Sequence, residues 1–309
     1  MAEGTLNGMY ALTVFTGTWL EAVPFLVLGI LFSSVMSVFV PDGFLQRVFP
    51  QRLVPGLCFG VLGGFFLPVC DCAAVPVFRT LVKKGIPLPA AVTFMTAAPV
   101  VNPVVMLSTW YAFGGNMHIV LSRTISGMIC AVLTGLCFAG KHDSYLFETS
   151  GPAPVCFRKN RSSMVHQAAE VLSHSRDEFL EAGCWQTAGI AAATVFQLWL
   201  KGTGNPFLKT AYAGMGTAAA VFIMMAVAFC LSLCSTSDAV VCAAIGKGFP
   251  AVAQLSFLVF GPMMDIKNVV LLSGMCSPAF AFRMAVTTFT VCFLFMLAVG
   301  FSSMGIRLI

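Results

Sequence analysis

Charge is what this chain has least of. Only 9% of its 309 residues are Asp, Glu, Lys or Arg, where a soluble protein carries about 25%. With 58% hydrophobic residues and a mean hydropathy of +0.91, this excludes an ordinary soluble domain. A Gly-rich phosphate loop followed by Lys-Ser/Thr is missing, so the chain is not expected to hydrolyse ATP itself. Neither His-Glu-x-x-His nor a serine-nucleophile elbow is present, so no catalytic residue and no cofactor is expected. The start, Met1-Ala2-Glu3-Gly4, lacks a basic segment, which predicts no cleavable signal peptide. The net charge is +5, but the basic residues cluster at the ends of apolar runs. That pattern speaks for membrane topology and against nucleic-acid binding.

What is present is apolar sequence in span-length runs, at about 10–39, 53–70, 88–112, 117–139, 180–200, 210–233, 251–273 and 280–303. Segments near 71–84 and 235–247 are shorter, and whether 53–84 and 210–247 are full spans or re-entrant hairpins is left open. Twelve cysteines would suggest a disulfide framework in a small secreted chain. Here Cys58, Cys130, Cys137, Cys230, Cys276 and Cys292 sit within or beside apolar runs, where cysteine acts as a small hydrophobe.

The chain repeats itself. A shift of 163 residues superposes Lys84 on Lys247, Gly85 on Gly248, Pro87 on Pro250, Ala90 on Ala253, Phe94 on Phe257 and Pro99 on Pro262, six identities in sixteen positions. Asn102 then falls on Asp265. Leu20-Glu21-Ala22 also recurs as Leu180-Glu181-Ala182, and the spacing from Glu21 to Arg123 and from Glu181 to Arg283 is 102 in both halves. These echoes divide the chain into a first membrane repeat (1–139), a connector (140–179) and a second membrane repeat (180–309). The connector holds Lys141, Arg158, Lys159, Arg161 and Arg176, which places it in the cytoplasm. It also holds His142, Cys156, His166 and His174, and it ends in an amphipathic stretch read as a surface-lying helix. Each half then has an odd number of crossings, and odd halves in series are inverted. Lys201, Lys209 and Lys247 fall on the external side of this arrangement. The expected fold is an all-α polytopic membrane protein with about 8–10 transmembrane segments in two inverted repeats with proline-broken or re-entrant helices.

The chemistry sits where those segments break. Lipid offers no water to freed backbone groups or ionised side chains, so such breaks survive only in a protein interior or a cavity. Pro68 and Pro76 flank Cys70-Asp71-Cys72, and Pro99 and Pro103 flank Asn102; Pro262 precedes Asp265. Residues two apart on a helix diverge, so the thiols of Cys70 and Cys72 converge only where the backbone is unwound. Two thiols and a carboxylate suit a soft ion such as Cu(I), Zn(II) or trivalent arsenic, yet are too few to close a structural zinc site. Cys234, Ser235 and Asp238 form the second-half counterpart. Asp265 is expected to carry a coupling proton or cation charge while Asn102 stays neutral. Arg123 and Arg283 are expected to pair with Glu21 and Glu181, locking each half internally. Lys267 and Arg79 are read as interfacial snorkelers.

At these residues the chain resembles a known family. Pro68-Val-Cys-Asp-Cys-Ala-Ala-Val-Pro76, the 90–103 stretch ending Ala-Pro-Val-Val-Asn-Pro, and Leu258-Val-Phe-Gly-Pro-Met-Met-Asp-Ile-Lys-Asn268 look like the bacterial predicted permeases that include the arsenical permease ArsP, and more closely its YraQ-like branch. The resemblance implies an inner-membrane permease, some members being linked to efflux of trivalent organoarsenicals or of copper and zinc. Arsenical and metal-efflux members tend to carry Cys-Ser-Cys where this chain has Cys70-Asp71-Cys72. The added negative charge favours a cation or a proton-coupled step over the arsenical substrate itself.

Three functional readings follow. The first is a secondary transporter exporting a soft metal, a metalloid or another small solute across the lipid bilayer by alternating access. The second is a membrane thiol-disulfide oxidoreductase using Cys70 and Cys72, although Cys-x-x-Cys would suit that better. The third is a permease subunit dependent on an accessory protein; a homo-oligomer is also compatible with the sequence.

Overall fold

A computed structural model describes residues 2–39, 52–67, 69–140, 164–203, 216–246 and 248–303. Pro68, residues 141–163 with most of the connector's charges, Lys209 and Lys247 lie outside the described residues. Among those described, all regular structure is helical, as lipid demands of a chain that must satisfy its own backbone. Twelve helices follow in order: α1 (Ala2–Phe39), α2 (Leu53–Phe66), α3 (Asp71–Lys83), α4 (Leu88–Val101), α5 (Pro103–Ala112), α6 (Met117–Cys137), α7 (Met164–Thr203), α8 (Thr217–Leu231), α9 (Asp238–Ile245), α10 (Ala251–Met263), α11 (Ile266–Met275) and α12 (Pro278–Ser303). Among the described residues, five segments are long and apolar enough to cross a bilayer: Met9–Phe39, Leu88–Ala112, Met117–Cys137, Ala251–Met275 and Pro278–Ser302. The amphipathic stretch expected to lie apart on the surface is instead the first part of the 40-residue helix α7.

Two pairs of helices carry the 163-residue echo around their breaks. The shift of 163 carries the first residue of α4 (88) to that of α10 (251), and the first of α5 (103) to that of α11 (266). Pro87 and Pro250 are both N-caps, preset for a helix start. At the first break Pro103 forces the preceding Asn102 into extended backbone (φ −60°, ψ 129°), and the Asn102 side chain accepts a hydrogen bond from Val104 N at 3.0 Å. At the second, Asp265 is extended without a following proline, and its carboxylate accepts from Asn268 N at 2.7 Å. One break thus arises from a proline and the other from a capping carboxylate.

Helices α4 and α10 form the core and pack on each other, nearly every residue of α4 being buried. α2 lies on α4 backbone to backbone, since a Cβ at Gly60 would meet Ala90 O at 2.7 Å and one at Gly64 would meet Ala98 N at 2.8 Å. α2 therefore runs in the direction of α4. The four-residue turn 84–87 reverses the chain between α3 and α4, so α2 and α3 form a hairpin with its tip at Val69–Cys70. At about 20 Å each, these two helices are too short to cross a core of about 30 Å alone.

Helices α1 and α7 run antiparallel, as do α6 and α12. Trp19 bonds Thr187 and Ser33 bonds Glu178 along α1 and α7, while Phe138 meets Phe280 and Cys130 meets Cys292 along α6 and α12. The broken helices also cross over. α3 of the first half packs on α11 of the second, and α9 of the second packs on α5 of the first. This exchange brings the two sets of helix breaks together.

Candidate functional site

The tip of the first hairpin builds the centre. Cys70 is the N-cap of α3 in extended backbone (φ −80°, ψ 174°), with Asp71 and Cys72 in the first helical turn. That change of conformation lets side chains two apart converge, and the ligand atoms of Cys70, Asp71 and Cys72 all lie within 4.8 Å of one another. Pro76 does not unwind the helix. It sits inside α3, where it can donate no bond to the Cys72 carbonyl; the break belongs to residues 67–70.

Facing this tip is Lys267, in the first turn of α11 and 1% exposed. Its ammonium lies 3.3 Å from Asp71 Oδ2, 3.3 Å from Asp265 Oδ2, and donates to the Leu233 carbonyl at 3.3 Å. The expected interfacial snorkeler is instead a buried cation shared by two buried carboxylates. With all three groups ionised, the cluster carries one negative charge in excess. Its thiols come from both halves: Cys72 donates to Asp71 Oδ2 and Cys234 to Asp71 Oδ1, each at 3.9 Å. Gln186 of α7 donates to Cys72 Sγ at 3.0 Å, while its own Oε1 is buried with no hydrogen-bond partner.

The break between α8 and α9 is held differently. Ser232 closes α8 in the left-handed region (φ 48°), and its hydroxyl accepts from Ile266 N at 3.0 Å. Gln197 Nε2 donates to the freed Leu231 carbonyl at 2.6 Å. Asp238, the first residue of α9, accepts from Arg123 NH2 at 2.8 Å, with side chains 3% and 1% exposed. Arg123 also donates to Thr109 Oγ1 at 2.7 Å and to the Ser235 carbonyl at 3.4 Å. The hydroxyl of Ser108 bonds the Thr236 carbonyl.

The expected sites thus divide. Cys70, Asp71, Cys72, Cys234 and Asp265 come together around Lys267, whereas Asp238 and Ser235 gather around Arg123. Asn102 caps α5. The expected pairings within each half are corrected. Arg123 pairs with Asp238, because α9 docks against the first half and buries its carboxylate where the guanidinium is already out of water. Glu21 accepts from Thr236 Oγ1 at 3.1 Å. Glu181 pairs with Arg79 at 2.8 Å, and Arg79 is itself buried rather than interfacial. Arg283 lies 6.0 Å from the centroid of the Phe138 ring. Sequence reasoning missed Lys267, Gln186 and Thr109. For Lys267 a signal was there: a lysine two residues after Asp265 in an apolar segment carries the same cost that singled out Asp71.

Comparison with known proteins supplies the family. Residues 8–301 match the family model described as a predicted permease. The chain belongs to that family. It is 30% identical over 272 residues to the UPF0718 protein YcgR of Bacillus subtilis, spanning 87% of this chain and 90% of the relative. It is 28% identical over 293 residues to a putative two-component membrane permease complex subunit of Streptococcus mutans, spanning 94% and 95%. The UPF0718 protein YraQ of Escherichia coli is 28% identical over 126 residues, 40% of this chain and 34% of that one. No solved structure matches. The permease is therefore a multi-pass membrane protein from a family named for moving solutes rather than transforming them.

Proposed function

We propose that this permease is a secondary transporter in the bacterial inner membrane. It exports a small solute, a soft metal or metalloid species, by alternating access of two inverted repeats (1–139 and 180–309), with the connector side facing the cytoplasm. The observation that carries the reading is the Asp71–Lys267–Asp265 cluster, in which both halves place charge at the meeting point of their broken helices. The antiparallel run of α1 against α7 and of α6 against α12 supports the inverted relation.

Chemically, Lys267 acts as a resident cation. A soft cation that binds Cys70, Cys72 and Asp71 displaces the ammonium from Asp71 toward Asp265, and the excess negative charge accommodates it. When the solute leaves, Lys267 returns. The donor set is incomplete by design of such a cycle, because a closed coordination shell would not release its ion. The name of the Streptococcus mutans relative favours one further possibility for the same site: operation as one subunit beside an accessory protein.

Uptake into everted vesicles tests this across Cu(I), Zn(II) and trivalent arsenicals. Asp71→Asn and Asp265→Asn are expected to lower coupled transport by at least about tenfold, the scale at which one transport-critical contact of about 1.4 kcal/mol is lost. Cys70→Ser with Cys72→Ser should remove transport of soft ions alone. Undiminished uptake by Asp71→Asn overturns the central site.

A further inference from the structure

A further buried carboxyl lies at the other end of α3, away from the solute centre. Glu178 is on α7 just before its apolar stretch 180–200, only 7% exposed. It sits in the seam where α1, α3 and α7 meet. Ser33 of α1 lies 3.1 Å from Glu178 Oε1 and 3.0 Å from Oε2, and its hydroxyl is 2.6 Å from that of Thr80 on α3. His174, one turn back on α7, places Nδ1 3.7 Å from Glu178 Oε2 and 3.3 Å from the Ser34 hydroxyl. The charged and titratable groups around the carboxyl are Arg79 and Lys83 of α3 and Glu181 and His174 of α7. Arg79 is engaged by Glu181 at 2.8 Å. The carboxyl where three helices meet thus accepts from the Ser33 hydroxyl, which suits either protonation state and is itself backed by Thr80.

We propose that Glu178 is the binding site of a coupling proton, distinct from the solute centre, and that α3 carries its state to Asp71. This rests on the transporter reading. Thr80 and Arg79 at the Glu178 seam and Asp71 at the solute centre belong to one short helix, nine residues or about 13 Å apart. A change in the seam therefore moves the helix whose first residue holds Lys267. No proton wire between the two sites is needed. Closing the seam takes one proton from water onto the Glu178 carboxylate, whose charge goes from −1 to 0, and opening returns it.

The direction follows from the surroundings. Burial lifts the Glu178 carboxyl from its ordinary 4.5 to about 7, with Ser33, Arg79 and Lys83 pulling the other way. The packed seam thus holds its proton roughly three-hundredfold more tightly than the same side chain in water. Because the raised group is an acid, the packed seam is favoured as pH falls through about 7 toward 4.5 and loosens above it. His174 is pushed below its usual range by burial and Lys83, with Asp177 pulling the other way.

The test needs no solute, so it fails or succeeds separately from the transport assay. Infrared difference spectra of the purified full chain in lipid nanodiscs should show a protonated carboxyl band titrating near pH 7. That band should vanish in Glu178→Gln, persist in Glu181→Gln, and move to higher pH in Ser33→Ala, a variant that keeps the titrating group if Glu178→Gln does not fold. Site-resolved maleimide labelling reads the coupling. The wild-type to Glu178→Gln rate ratio should change between pH 6 and 8 at Cys70 and Cys72 and stay flat at exposed Cys137. A band unmoved by both Glu178→Gln and Ser33→Ala overturns the proton site, and flat ratios at Cys70 and Cys72 overturn its link to the centre.

Discussion

At Arg123 one guanidinium meets one carboxylate, that of Asp238, whereas at Lys267 one ammonium is shared by Asp71 and Asp265. Both clusters are buried and both cross from one half of the permease to the other. They differ in balance and in the cation chosen. Arginine stays charged in proteins and offers a planar fork with fixed donors; here it holds Asp238, Thr109 and the Ser235 carbonyl at once. Lysine is a compact charge on a flexible stem, able to pass from one carboxylate to another. The first cluster suits holding the two parts together, and the second suits the rearrangement that the proposed cycle requires. Three thiols, those of Cys70, Cys72 and Cys234, gather at the second cluster, whereas the first has Cys242 one turn along α9 from Asp238.

The contrast is sharpest in stability. Asp238→Asn leaves a buried guanidinium without its counter-charge, a loss of about 3–5 kcal/mol, and should appear as a large fall in thermal unfolding temperature of the detergent-solubilised protein. Asp71→Asn and Asp265→Asn each leave Lys267 with one carboxylate and remove the excess charge. Those variants should unfold within about 1 kcal/mol of wild type, since an isosteric change that keeps an ion pair intact is mild. Equal destabilisation by Asp71→Asn and Asp238→Asn would break the distinction.

A double replacement asks whether the Arg123 cluster does more than hold. Removing both partners of a buried pair in favour of apolar groups of similar volume is often neutral. Arg123→Met with Asp238→Leu should therefore recover most of the stability lost in Asp238→Asn. Transport should recover with it if the cluster is only a clasp. Recovered stability with transport still absent would place Arg123 in the translocation cycle and erase the difference from Lys267.

Much of this architecture could be read before any coordinates. The break at Asn102 was legible because Pro103 restricts its neighbour locally, and Asp265 was legible through the 163-residue repeat. The Cys-Asp-Cys turn was legible because an intramembrane carboxylate between thiols is costly. Partner choice was not. Arg123 and Glu21 keep the same spacing as Arg283 and Glu181, yet spacing along a chain says nothing about which half docks on which. The pairings Arg123–Asp238, Asp71–Lys267 and Arg79–Glu181 all depend on α9 crossing to α5, α3 crossing to α11, and α7 lying beside α1 and α3. Glu178 was hidden for another reason: read as the tail of a polar connector, it gave no sign of burial until α7 proved continuous.

Arg283 offers the smallest effect and the cleanest check of the corrected pairing. Had it paired with Glu181, its loss would strand that carboxylate and strengthen the hold of Glu181 on Arg79. In the structure the guanidinium lies 6.0 Å from the Phe138 ring centroid at the junction of α6 and α12, while Glu181 is engaged by Arg79 at 2.8 Å. A cation over an aromatic face at a partly solvated site contributes about 0.5–1 kcal/mol. Arg283→Gln should therefore lower the unfolding free energy by no more than about 1 kcal/mol, and Phe138→Leu in the same background should add no further cation–π loss. A double-mutant cycle between Arg283 and Glu181 should return a coupling near zero, whereas one between Arg79 and Glu181 should not, because only the second pair shares a hydrogen bond.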